Sequence, residues 1–392
     1  MTRRLNLKNL LLIFTVLFSV TTVNAEIIQD KDFGFILDIP EGFKVENYTE
    51  DGMSYIFTHP NIPVSFVMKI YYDPAYQKAS DVLSTALGKL SAKGDIDSFK
   101  WSEQICIISN FSMSLDQVYK GWAVCAPLKI QNSFVSLLCY APENQAAACE
   151  QFIMSALNSL CIDEYNFNTP GIITTYAYPT EGAKEISLMI DGKKINTSLD
   201  KSDAEAADFT VELEYAVLCL YAKHNMWKEA WQRYYRMIYR DSCGRLKKVS
   251  SDIYDVLYSA AKTKAPGKED ITYAQMLLTW TQNFDYQRAK SSKNSDFTSL
   301  PAVLSGSGND CDSRTMLLCV LLKNCGIDTI MLISPEYSHA ITAANINAPG
   351  QTYKLKDNGK EYIFGETTAK VTWGMIAQEH NDRSKWIPVI FP

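Results

Sequence analysis

Histidine is scarce in this chain. Four stand singly among 392 residues, and no pair of CxxC motifs occurs, so the usual ligand sets of a structural zinc site are missing and no metal or cofactor is expected. No Lys/Arg run is interleaved with aromatics, and the net charge of −6 offers no basic stripe to a phosphate backbone. No nucleic-acid partner is therefore expected. Beyond the first two dozen residues no apolar stretch approaches the ~20 residues that span a bilayer. Internal repeats and low-complexity tracts are absent too. With 47% hydrophobic and 21% charged residues, the chain has the composition of a folded protein rather than a disordered one.

What is present begins with a leader. Thr2-Arg3-Arg4 and Lys8 form a basic start, Leu10 to Val23 is an apolar run, and Val23-Asn24-Ala25 puts small residues where a signal peptidase reads. This layout predicts a secretory signal over 1–25, cleaved after Ala25, and an exported protein, periplasmic or secreted. No Cys follows the cleavage point, which argues against a lipid anchor, and no membrane span is expected after cleavage. Ten cysteines in an exported chain invite disulfides. Cys106, Cys125, Cys139, Cys149 and Cys161 cluster and have the option of pairing among themselves, while Cys319 lies in an apolar helical run and reads as an unpaired thiol.

The length exceeds the roughly 250–300 residues at which a single core stops growing, and the pattern divides the mature chain. Residues 26–165 read as an α+β domain. Strands are expected at Phe35–Ile39, Ser54–Thr58, Val64–Tyr72, Glu103–Met113, Val118–Pro127 and Ser133–Tyr140, with helices at Ala79–Ser91 and Glu143–Leu160. Residues 166–204, rich in Thr, Pro, Gly and Lys, read as a linker with a hairpin turning at Asp191-Gly192. Residues 205–392 open with amphipathic helices at Phe209–His224, Trp227–Arg240 and Lys247–Ala261. The aromatic residues of the second (Trp227, Trp231, Tyr234, Tyr235, Tyr239) have the spacing of helix-core packing rather than of a ligand-stacking stripe.

Chemistry concentrates further on. A helix over Asp270–Gln282 and a polar loop precede Gly308-Asn309-Asp310-Cys311, after which Thr315–Asn324 is apolar and helical, stopping at Gly326. Cys311 is thus expected at a helix N-terminus with Asn309 or Asp310 as cap. Unpaired N–H groups and the helix dipole there favour a thiolate, which predicts a lowered thiol pKa. A strand over Thr329–Ser334 leads to a second that opens with Ser338-His339-Ala340, and a third carries Gly365-Glu366-Thr367-Thr368. Adjacent antiparallel strands can set His339 beside Glu366 while the helix presents Cys311: nucleophile, base and orienting carboxylate in line. His380 is a rival base, but Gln378-Glu379-His380-Asn381-Asp382-Arg383 reads as a solvated loop.

Those residues carry a resemblance. Gly-x-Asp-Cys with a Leu-rich helix and Cys-Gly-Ile, then Ser-His-Ala, then Glu-Thr-Thr, is similar to the transglutaminase-like cysteine domains of bacteria and archaea, over about Tyr273 to Trp386. The resemblance implies a papain-like core, a Cys-bearing helix packed on an antiparallel sheet, with Cys311 as nucleophile, His339 as base and Glu366 as acid. Many members carry Asp at the acid position, and many carry Asp where Ser313 stands here. It also suggests Gln282 as an oxyanion donor beside the Cys311 backbone N–H. At the other end, Asp32-Phe33-Gly34-Phe35-Ile36-Leu37-Asp38-Ile39-Pro40-Glu41-Gly42-Phe43 resembles the start of PsbP-like α/β sandwich domains.

Two functions follow as expectations. The first is an exported cysteine enzyme that hydrolyses, or transfers, a peptide or isopeptide acyl group, with a peptide or protein as substrate. The second is a non-catalytic binding or scaffold protein that retains the fold. Nothing in the sequence specifies an oligomeric state.

Overall fold

Strict alternation builds the first sheet elements: Phe35 and Leu37 are fully buried while Ile36 and Asp38 between them are only partly so, the period-two pattern of a half-buried strand. The computed structural model describes residues 27–288 and 294–392, and the expected signal over 1–25 lies outside them. The architecture is α+β. Strands β1 (Ile27–Asp30), β2 (Phe35–Asp38), β3 (Lys44–Tyr48), β4 (Ser54–Thr58) and β5 (Ser65–Tyr72) precede helix α1 (Ala79–Lys89). Next come β6 (Lys93–Trp101), β7 (Gln104–Ser114), β8 (Val118–Pro127), β9 (Ser133–Pro142), helix α2 (Glu143–Asn158) and the short β10 (Leu160–Cys161).

Seven of these strands form one antiparallel sheet in the order β3-β4-β5-β9-β8-β7-β6, and β1, β2 and β10 form a smaller one. Helix α1 covers one face of the large sheet, Val82 and Leu83 packing with Phe111 and Leu138. Helix α2 covers the other, Phe152 and Ile153 packing with Phe66 and Leu137. The edge strand β6 escapes a reading by pattern because nearly all of it is exposed, so no alternation marks it.

Helix α3 (Ile172–Ala177) leads to a hairpin of β11 (Ala183–Ile190) and β12 (Lys193–Asp200). Asp191 and Gly192 both take positive φ, 49° and 72°, as a type I′ turn demands and as Asp-Gly supplies. The segment read as a linker therefore folds, and Ile190, Ile195 and Leu199 are buried in the second core.

A helical layer follows: α4 (Asp203–Leu220), α5 (Trp227–Arg245), α6 (Lys247–Lys264), α7 (Glu269–Thr281) and the short α8 (Leu300–Leu304). Helix α5 serves both halves. Its Ala230 packs in the core of the large sheet while Tyr239 and Ile238 pack in the second core, and Tyr239 stacks on Phe391 with centroids 4.1 Å apart. Three arginines on α5 reach back. Arg233 donates to Glu214 Oε2 and to the Asp38 carbonyl, both at 2.6 Å. Arg236 takes the Asp38 carboxylate with two nitrogens at 2.8 and 2.9 Å. Arg240 satisfies the carbonyls of Asn158, Leu160 and Asn166 at 2.8, 2.6 and 2.7 Å, the first of them an acceptor that the end of α2 leaves without a helical partner.

The last unit comprises α9 (Cys311–Asn324), β13 (Thr329–Ser334), β14 (His339–Ala344), β15 (Thr352–Lys354), β16 (Glu361–Gly365) and β17 (Ile387–Ile390). Its strands form a five-stranded antiparallel sheet in the order β15-β16-β14-β13-β17. Helix α9 is buried on nearly every side, lying between β13 and β14 on one side and α5, α6 and α7 on the other. Among the described residues no helix is long and apolar enough to cross a membrane. All ten cysteines are free thiols, Cys319 among the buried ones. Cys106 and Cys125 belong to different cores on opposite faces of the large sheet, so their Cβ vectors diverge and a bridge between them would break the strands.

Candidate active site

The sequence puts a cap before an apolar run, and the local geometry follows. Asp310 is extended (φ −107°, ψ −167°) and its Oδ1 accepts from the Ser313 backbone N–H and the Ser313 hydroxyl, both at 3.3 Å. That makes Cys311 the first residue of α9, 2% exposed. Arg314, one turn on, fixes the entry loop: it donates to Asn309 Oδ1 at 2.7 Å, to the Phe284 carbonyl at 2.6 Å and to the Thr367 carbonyl at 3.4 Å. Helix α9 docks on β14 through two threonines, Thr315 Oγ1 donating to the Ala340 carbonyl at 3.2 Å and Thr342 Oγ1 to the Thr315 carbonyl at 3.1 Å. The Ala340 backbone N–H is near enough to the Cys311 sulphur to act on its charge, which puts the thiol beside the strand position next to His339.

His339 opens β14 after Ser338, whose φ of 49° is uncommon for a residue with a side chain. The pairing of Thr342 with Gly365 brings the start of β14 alongside the end of β16. His339 Nε2 lies 2.8 Å from Glu366 Oε2. The second carboxylate oxygen of Glu366 accepts from the Thr368 backbone N–H at 2.7 Å and from the Thr368 hydroxyl at 2.6 Å. Burial works to raise the Glu366 carboxyl, but the bonds from His339 and Thr368 outweigh it and hold the group below its ordinary range. Nε2 is thus committed to the carboxylate, leaving Nδ1 for a second proton partner.

The thiol departs from the sequence-based expectation. Burial, then the nearby Asp312 and Asp310 carboxylates, push the Cys311 thiol well up rather than down. Its proton goes to Asp312 Oδ1 at 3.2 Å, and Tyr235 OH donates to the same carboxylate. The expected helix-terminus effect is opposed by two acidic neighbours, one of them the cap itself. Burial and Asp312 in turn raise the Asp310 carboxyl to about 7.

Gln282 also departs. Its amide nitrogen donates to the Glu366 carbonyl at 2.8 Å and to the Val371 carbonyl at 2.9 Å, so both N–H groups are consumed. It braces the loop after β16 and has no donor left for an oxyanion. Trp373 braces the same loop: a Cβ on Gly365 would meet its ring at 2.5 Å.

Two neighbours of the site escaped the reading by pattern, and a third was read there as solvated. His380, assigned above to a solvated loop, lies against His339 with ring centroids 5.2 Å apart and against Tyr337 at 4.8 Å, and its carbonyl accepts from Trp386 Nε1 at 3.0 Å. Neither strand nor helix periodicity marks a single 3-10 turn, so only the three-dimensional path brings it back. Tyr286 and Arg288 are close enough to interact electrostatically with Cys311; they follow α7 in an irregular segment. Among the described residues two groups have donor atoms within 4.8 Å of one another, as metal binding requires: His339, Glu366 and His380, and separately Asp310, Cys311 and Asp312. A cleft of about 880 Å³ opens between α7 and the hairpin tip, with Trp280, Asn283, Thr372 and Trp373 among its walls. None of Cys311, His339 and Glu366 lines it.

No family model and no curated protein matches the chain. Among solved structures it is similar to cyanobacterial PsbP from Synechocystis, with TM-score 0.31 and 12% identity over 37% of this chain and 96% of that one. It is similar to the Ran-binding protein Mog1p of Saccharomyces cerevisiae, with TM-score 0.28 and 10% identity over 37% of this chain and 98% of that one. A protein from Bacteroides thetaiotaomicron gives TM-score 0.27 and 12% identity over 57% of this chain and 78% of that one. These are weak likenesses.

Proposed function

We propose that the protein is an exported transglutaminase-like cysteine enzyme that cleaves a peptide or isopeptide bond through Cys311, His339 and Glu366. The observation that carries this reading is the 2.8 Å bond between His339 Nε2 and Glu366 Oε2, made where the Cys311 helix docks on the strand that His339 opens. Because the thiol is protonated at rest, the nucleophile forms during attack. Cys311 Sγ bonds the carbonyl carbon as its proton passes to His339 Nδ1, and Glu366 stabilises the imidazolium. The C–N bond then breaks, His339 returns the proton to the departing amine, and an acyl thioester remains. Water attacks it, His339 again taking and returning a proton, to release the acid and restore the thiol. An amine in place of water would make the reaction a transfer; abundant water favours hydrolysis. With Gln282 committed elsewhere, the Cys311 backbone N–H at the first turn of α9 serves as the oxyanion donor.

The test is acylation of the mature protein by a peptide p-nitrophenyl ester, with mass mapping of the labelled residue. A thioester on Cys311 is expected, forming about 10²–10⁴-fold more slowly in His339→Ala. Unchanged turnover in Cys311→Ser would sink the enzyme reading. The second reading, a binding or scaffold protein, draws on the buried thiol and the two carboxylates that hold it protonated. It requires that no acyl group reach Cys311 with any ester tried.

A further inference from the structure

Two of the four histidines, far apart in the chain, meet beside a carboxylate. A donor atom from each of His339, His380 and Glu366 lies within 4.8 Å of the other two. We propose that these three residues bind a divalent transition cation of the zinc type, and that the ion, while held there, occupies the imidazole which the chemistry proposed above requires. The inhibitory half rests on that reading of Cys311 and His339; the binding half does not.

Chemistry and packing both favour this. Two imidazole nitrogens and one carboxylate oxygen suit zinc and its neighbours, whereas magnesium and calcium prefer oxygen throughout. His380 Nδ1 is buried and has no hydrogen-bond partner, a desolvated polar atom that costs free energy until something fills it. Glu366 already has the support that ligating carboxylates usually have, its other oxygen taking two hydrogen bonds from Thr368.

The movement required is small and falls on the right element. Zinc–ligand bonds of about 2.0–2.2 Å at tetrahedral angles put donors roughly 3.3 Å apart. The 2.8 Å pair of His339 and Glu366 must open by about half an ångström, and His380 must close inwards. His380 ends a single 3-10 turn, Gln378–His380, whose other two residues are exposed, so the approach displaces a surface turn and not a core strand. Tyr337 and Trp386 flank its ring at 4.8 and 6.2 Å and guide that approach.

The experiment is calorimetric titration of the full mature chain with zinc chloride at neutral pH, paralleled by the visible spectrum with cobalt(II). One equivalent is expected to bind, with a cobalt spectrum free of thiolate charge transfer. Binding should weaken roughly tenfold or more in His380→Ala and in His380→Gln, both checked for folding by circular dichroism, and persist in Cys311→Ser. Equal binding by wild type and both His380 variants would overturn the proposal. So would absence of binding at sub-millimolar zinc, or a charge-transfer band that Cys311→Ser removes, which would put the ion at Cys311 with Asp310 and Asp312. Zinc should slow ester acylation of the wild type and slow His380→Ala much less; equal slowing overturns the inhibitory half. If no acylation occurs at all, the enzyme reading fails while the binding result still stands or falls by itself.

Discussion

Gln282 donates an amide hydrogen to the main-chain carbonyl of Glu366, 2.8 Å away, so Glu366 is held by its backbone as well as by its side chain. The second amide hydrogen goes to Val371. Gln282→Leu strips a donor from two carbonyls, one of them that of the buried Glu366, at a cost of about 1–3 kcal/mol. We expect a lower urea midpoint, and acylation of Cys311 that falls through misplacement of Glu366. Unaltered stability would remove the bracing role.

Asp310 should act as a brake on the thiol. Its carboxyl sits at about 7, raised by burial and by Asp312. Below that pH it is mostly neutral and repels a thiolate little; above it the charge opposes ionisation of Cys311. Asp310→Asn keeps a capping oxygen for Ser313 and removes the charge. Iodoacetamide labelling of Cys311, mapped by peptide mass, should therefore be faster in the variant at pH 8 and nearly equal to wild type at pH 6. Equal rates at both values would rule the brake out.

Glu41 predicts a pH dependence of stability. It is fully buried and neither carboxylate oxygen has a hydrogen-bond partner. Burial raises it to about 7 from an ordinary 4.5, despite the opposing pull of Arg233. For an acid raised on folding, the contribution is complete below pH 4.5 and is lost as pH climbs through 7. A shift of that size corresponds to on the order of 3 kcal/mol. Urea unfolding of Glu41→Gln at pH 5 and pH 8 should show a flatter profile than wild type, the gap opening at pH 8.

Arg233 lies wholly buried against Glu214 and the Asp38 carbonyl. Arg233→Ala leaves the buried Glu214 without its ion-pair partner and, among the described residues, with Ser155 Oγ as its donor, which costs about 3–5 kcal/mol. The double variant Arg233→Met with Glu214→Leu should recover much of that loss. A single substitution within 1 kcal/mol of wild type, about what an exposed pair is worth, would mean the pair is open to water.

Short apolar or β-prone runs bounded by turn residues were legible in advance. Ser54–Thr58, Val118–Pro127 and Thr329–Ser334 coincide with their expected strands, and the Asp191-Gly192 turn follows from the backbone needs of two residues. The pairing of His339 with Glu366 was likewise accessible, because an antiparallel register is a short-range inference once both strands are assigned. Hidden from the sequence was whatever depends on the third dimension alone. The commitment of Gln282 to two carbonyls, the two carboxylates bearing on Cys311 and the return of His380 to His339 each join segments whose approach no local pattern encodes. The arginines of α5 were masked by its aromatic residues, which carry the periodic signal, while the cations lie on the stripe that reads as solvent-facing.

Those arginines tie the α5 helix to the N-terminal sheet domain. A cut near residue 204 would leave the C-terminal piece with Arg233, Arg236 and Arg240 deprived of Asp38 and of the carbonyls after α2, and the N-terminal piece with those acceptors bare. Neither fragment would be a faithful miniature of the whole. Heat or urea should then meet one transition in the intact protein, with probes on the large sheet and probes near Cys311 reporting the same midpoint.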